Sequence, residues 1–350
     1  MNDVKQRARN AMIGLAIGDA MSWTAMFHRS FLLPSWTRRK RREIDIDSET
    51  KNIILSPMPF SLNQQPQHFD ISPTCATEWA TFSAEIFLSS DNNSYSQSVL
   101  KEWMNLARSS DCIRGGISTQ VALQNLRNGI VPPKSGKENP HYFDDGAMPR
   151  SVPIGILCAG QPDKAARLAE IDSSITNSED GVWAAQAMAV AISLVCSGKD
   201  ITYAIDAASQ YLPESSWLKR TVDEAYKIVK NSTSIFSILP ELHNNIVNRE
   251  YSYGNVAPET LALTFAIARL HGDNFETSLT MASTFAKCGE TLPTMVGAFV
   301  ASLHSTTIAG ENWLDAIKLL KGICIPSFAG KNYLTLIEQL SNLEDQKISI

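Results

Sequence analysis

Apolar residues recur at helical spacing along most of the chain, and the alternation expected of strands is almost absent. Residues 4–23 read as one helix whose small residues, Gly14 and Gly18, permit close packing. Glu78–Ser89 sets Trp79, Phe82, Ile86 and Phe87 on one inner face. Further helices are predicted over Tyr95–Ala107, Ser118–Arg127, Met148–Cys158, Asp163–Ile171, Gly181–Cys196, Ile201–Tyr211 and Ser216–Lys230. The last ones are Pro258–Leu270, Phe275–Ala286, Pro293–Ser305, Trp313–Leu320 and a stretch near Tyr333–Leu343. Val182–Cys196 is the most apolar long run. It is too short to span a bilayer and contains Gln186 and Ser193, which predicts a buried core helix. No helical period persists between Thr24 and Ser72, and no repeat or Pro/Ser-rich linker divides the chain. The pattern predicts a single compact, multi-helix, all-α domain.

Three polar loops each open a helix, and they are predicted to converge on one pocket. In Ala286–Phe299, AKCGETLPTMVGAF, Pro293 suits a first helical turn, and Gly297 and Ala301 let another backbone approach. Glu290 and Thr291 therefore stand at a helix N-terminus, which favours anions. Thr74–Glu78 and Asp144–Arg150 have the same look. Asp144 and Asp145 make either a carboxylate pair for acid–base work or a helix cap.

The 350 residues are 44% apolar and 19% charged, which is a globular composition, and the net charge of -5 argues against nucleic acid as a partner. Six scattered cysteines without a CxxC pair predict neither a disulfide framework nor a zinc site. The basic residues and the apolar run Ala11–Ile17 are interrupted by Asp19, unlike a signal peptide. A cytoplasmic protein with no membrane partner is expected. The run Arg38-Arg39-Lys40-Arg41-Arg42, followed by Glu43, Asp45 and Asp47, reads as a solvated loop rather than a polyanion contact. The six histidines fall in no ligand spacing, and no GxSxG, Walker or GxGxxG motif occurs.

The order of four motifs carries a resemblance. GLAIGDAMS at 14–22 is followed by the T-x-x-T-E loop at 74–78, then DGAMPRSVPIG at 145–155, then the Thr291 loop before a small-residue helix. This series resembles the ADP-ribosylglycohydrolase family over about residues 7–305, with 306–350 as a C-terminal helical extension. The resemblance implies an all-helical fold and a pair of magnesium or manganese ions that helps cleave an ADP-ribosyl glycosidic bond. The family's Thr-Asp-Asp-Thr motif stands here as Thr74-Cys75-Ala76-Thr77. Counted back from Gly297, the last motif's two glycines fall on Ala286 and Lys287, its aspartates on Cys288 and Glu290, and its threonine on Thr291. Its Thr-His pair falls on Thr176 and Asn177.

The implied cofactor is therefore none, or at most one weakly bound Mg held near Glu290, Thr291 and Thr74. By the same resemblance the ligand is ADP-ribose or a nucleoside-like molecule, met by Asp19, Thr74, Thr77, Gly146, Ala147, Met148, Arg150 and Thr291. Glu290, Glu78 and Asp145 are the acids left for chemistry. The alternative is a catalytically inactive binding or immunity-type protein for ADP-ribose, an ADP-ribosylated protein or a toxin partner. Cys75 and Cys288, in two loops predicted to converge, are inert small replacements or a reactive pair.

Overall fold

The computed structural model describes residues 2–22, 50, 72–90, 94–247, 256–285 and 287–342. The basic run 38–42 lies outside them. Among the described residues the chain forms sixteen α-helices and one 3-10 turn, with two isolated bridges and no strand. They are α1 (Asn2–Met21), α2 (Cys75–Ser89), α3 (Tyr95–Arg108), α4 (Ile117–Arg127), α5 (Lys134–Lys137), α6 (Met148–Leu157), α7 (Pro162–Ser173) and α8 (Asp180–Cys196). There follow α9 (Ile201–Ser209), α10 (Trp217–Val229), α11 (Ile235–Asn245), α12 (Ala257–His271), α13 (Phe275–Ala282), α14 (Leu292–Ser302), α15 (Glu311–Ile317) and α16 (Tyr333–Ser341). None of these helices is long and apolar enough to cross a membrane.

The centre is built from helices that are apolar on nearly every side. α8 buries almost its whole length and packs against α6, α7 and α9. A Cβ at Gly155 would stand 2.6 Å from the Ala189 carbonyl oxygen, so glycine lets α6 reach α8. The closest approach joins α1 to α14. A Cβ on Gly14 would lie 2.2 Å from the Gly297 oxygen, and one on Gly18 would lie 2.1 Å from the Pro293 oxygen. The small residues seen in both helices are thus partners of each other. The same contact brings the end of α1 beside the loop that opens α14.

The structure departs from the sequence reading in three places. α2 begins at Cys75, one turn before the expected Glu78, because its cap comes from Asp19 on another helix. α11 was not expected, and it forms with Pro240 inside it. The expectation of no disulfide is corrected: Cys75 and Cys324 are bonded, with Cα atoms 5.4 Å apart, and Cys288 is a free, buried thiol. Cys75 and Cys288 are therefore not a pair.

Candidate functional site

Asp19, in the last turn of α1, is fully buried and anchors the first loop. Its Oδ2 accepts from the Thr74 and Thr77 amides at 2.7 and 3.0 Å and from the Thr77 hydroxyl at 2.7 Å. Its Oδ1 accepts from the Thr74 hydroxyl at 2.9 Å. Burial pushes the Asp19 carboxyl up, and these four donors pull it back. Asp19, Thr74 and Thr77 come together, and they do so by bonding to each other.

Glu78, in the first turn of α2, is bonded to a distant part of the chain. Its Oε1 accepts from the Ile323 amide at 2.8 Å, and its Oε2 accepts from those of Cys324 and Ile325 at 2.7 and 2.9 Å. The neighbouring Cys75–Cys324 bond ties the same two segments covalently. The structure thus places Glu78 as the clasp of a distant loop, fully buried and with three backbone donors already on it.

The second loop rests on a buried polar chain. Arg150 Nε donates to Asp172 Oδ1 at 2.6 Å, both side chains 1% exposed, and its Nη2 donates to the Thr176 hydroxyl at 2.9 Å. Its guanidinium also lies 5.1 Å from the Trp103 ring centroid. Asn177 Nδ2 donates to the Asp144 Oδ1 at 2.9 Å, and Asp144 Oδ1 also accepts from the Gly146 amide at 3.1 Å. Arg150 therefore supports the loop from beneath, and Ala147 and Met148 pack in the core beside it. Asp172 was missed by sequence reasoning, having no motif of its own, whereas Asn177 was noted only as the place of the family's histidine.

Asp144 and Asp145 point to different partners. Asp145 accepts from the Thr260 hydroxyl at 2.6 Å and from the Thr291 hydroxyl at 3.1 Å, joining the second loop to α12 and to the third loop. Burial pushes its carboxyl up to about 8, with the charges of Asp144 and Glu290 adding to the rise against the two threonines. Asp145, Glu290 and Thr291 are thus brought together.

The third loop meets an acid that sequence reasoning also missed. Glu259, in the first turn of α12, pairs with Lys287 Nζ at 2.8 Å, the two side chains being 0% and 8% exposed. The Cys288 thiol donates to the other Glu259 oxygen at 3.4 Å. Burial, followed by the Glu259 charge, holds that thiol well above its ordinary range. One signal was available: Glu259 is the sole charged residue in the apolar run from Ala257 to Ala268.

These donors do not fit a pair of magnesium or manganese ions. Such ions want hard anionic oxygens. Cys75 is in a disulfide, Ala76 offers a methyl, and Cys288 is a protonated thiol turned to Glu259. Glu259 itself already holds an ammonium. Among the described residues no group of three or more His, Cys, Asp or Glu is arranged to hold a metal ion.

The sequence model of the ADP-ribosylglycohydrolase family matches residues 1–347. A solved structure titled "ADP-ribosylglycohydrolase-related protein complex" shares the fold at a TM-score of 0.60 and 15% identity, covering 97% of each chain. No curated protein matches in sequence.

Proposed function

We propose, from the premise that the chain belongs to the ADP-ribosylglycohydrolase family, that it binds an ADP-ribosyl or nucleoside-like ligand, free or carried on a protein, without metal-assisted hydrolysis. The observation that carries this is the Lys287–Glu259 ion pair, with Cys288 bonded to the same carboxylate. A cation and a thiol stand where hard ligands would be needed. Two helix starts support the binding reading. Gly146 leads into α6 and Thr291 is the N-cap of α14, so two helix N-termini are aimed at the Asp145 region and suit a diphosphate.

One observation favours a second reading, metal-free hydrolysis. With its carboxyl pushed up to about 8, Asp145 carries a proton at neutral pH and is suited to protonate a leaving group. Glu290, beside it, would then activate water.

Calorimetric titration with ADP-ribose, in magnesium and in EDTA, tests the first reading, alongside chromatography of ADP-ribosyl-arginine, ADP-ribosyl-serine and ADP-ribosyl-protein incubations. Binding indifferent to EDTA, without turnover, is expected. Turnover that falls by about two to four orders of magnitude in Asp145→Asn or Glu290→Gln would establish the second reading instead. No binding of any of these ligands refutes both.

A further inference from the structure

The Lys287–Glu259 pair has a meaning of its own. Glu259 is fully buried in the first turn of α12, and a carboxylate there demands a cation or a proton. Lys287 comes to it from the loop before α14, a different part of the chain. The ammonium thus does what a coordinated ion does: it neutralises a buried acid and bridges two elements. The same loop offers Cys288 to the second oxygen of Glu259, so both carboxylate oxygens are engaged from one strand of backbone. Lysine is suited to this role, being a compact point charge on a flexible stem.

We propose that Lys287 is a tethered cation that takes the place of a divalent metal ion at this centre, so that its folding and its charge balance need no metal. The two are mutually exclusive, because an ammonium 2.8 Å from Glu259 Oε1 leaves a metal ion neither the room nor the free charge. Unlike a metal ion, the ammonium has no open coordination position at which to activate water. The proposal rests on the metal-free part of that reading and deepens it, since it concerns what holds the centre together rather than what enters it.

The test sets the tethered cation against a free one, with Mn2+ as the probe. Cys288→Asp adds a hard carboxylate beside Glu259 while Lys287 remains. Lys287→Ala/Cys288→Asp adds the carboxylate and removes the ammonium. Uptake is followed by loss of the free-ion Mn2+ resonance signal, and by melting temperature in Mn2+ against EDTA. The wild type and Cys288→Asp are expected to leave Mn2+ free and to melt alike in both solutions. The double variant is expected to take up Mn2+ and melt higher with it. Uptake by the wild type or by Cys288→Asp, or none by the double variant, overturns the proposal. Because an inserted acid can itself block folding, a second measurement uses Lys287→Met. Its melting temperature should fall by roughly 4–7 °C, and adding Glu259→Gln should recover most of the loss. Equal melting of Lys287→Met and the wild type, or no recovery, overturns the proposal as well. Neither readout involves ADP-ribose, so failure here and failure of the binding reading are separately visible.

Discussion

Asp145→Asn makes the sharpest stability prediction. The side chain is fully buried and its carboxyl is pushed from 3.8 to about 8, so between those values the folded chain carries a proton that the unfolded chain has lost. The folded value is raised, so the contribution is fully present below about pH 4 and is lost as pH rises through about 8. At pH 7 the unfolded carboxyl is some three units past its midpoint, a penalty on folding of roughly 4 kcal/mol at 1.36 kcal/mol per unit. At pH 5 the same arithmetic leaves roughly 1.5 kcal/mol. Asparagine keeps the shape of the protonated acid, with an acceptor and a donor for Thr260 and Thr291, and does not titrate. A chain of 350 residues unfolds with an entropy of roughly 0.7 kcal/mol/K. Asp145→Asn should therefore melt about 2 °C above the wild type at pH 5 and about 6 °C above it at pH 7. The assay is a pair of calorimetric melts at half-unit pH steps. A difference that is flat with pH, or a variant less stable at pH 7, would refute the reasoning.

Glu78→Gln should lower stability by about 3 kcal/mol, since an amide can accept from only part of a three-donor set and turns its own NH2 toward the rest. ADP-ribose affinity measured beside it should not change; a selective loss of binding with intact melting would return Glu78 to the candidate functional groups. Gly297→Ala places a Cβ 2.2 Å from the Gly14 carbonyl oxygen and should cost about 3 kcal/mol or more by denaturant titration. Gly310→Ala, where a Cβ meets nothing within 4 Å, serves as the control, and equal midpoints for the two would contradict the packing described.

The parts of the fold that a local signal announces were legible in the sequence. Apolar periodicity placed nearly every helix, and Gly14, Gly18 and Gly297 declared close approach before their partners were known. The loops near Asp145 and Thr291 do meet, through a hydrogen bond spanning 146 residues. What stayed hidden is the pairing of polar side chains over long separations, which leaves no period in sequence. Glu78 looks like a helix-start acid, yet its acceptor oxygens serve backbone amides up to 247 residues away. Arg150 sits in a ligand-like motif, yet its charge is spent on Asp172. Lys287 stood in place of a family glycine, while Glu259, the residue that pairs with it, lay inside an apolar helix without a motif.

The pairing of α1 with α14 also bears on how the chain is made. Arg7 on α1 donates to the Ser302 carbonyl, 295 residues later, and Tyr333 donates to Met12 across 321. The apolar side of α1, with Met12, Ile13, Ala16 and Ile17 all buried in the finished fold, is synthesised long before the helix that covers it. At about 5–20 residues per second, roughly 15–60 s pass before α14 emerges. Throughout that interval the greasy face of the first helix lacks its main native partner and has only its smaller contacts with α2, α6 and α8 as these emerge, so it becomes the segment a ribosome-associated chaperone would hold. Slowing translation would lengthen its exposure, and a circular permutant that places α14 directly before α1 would end it.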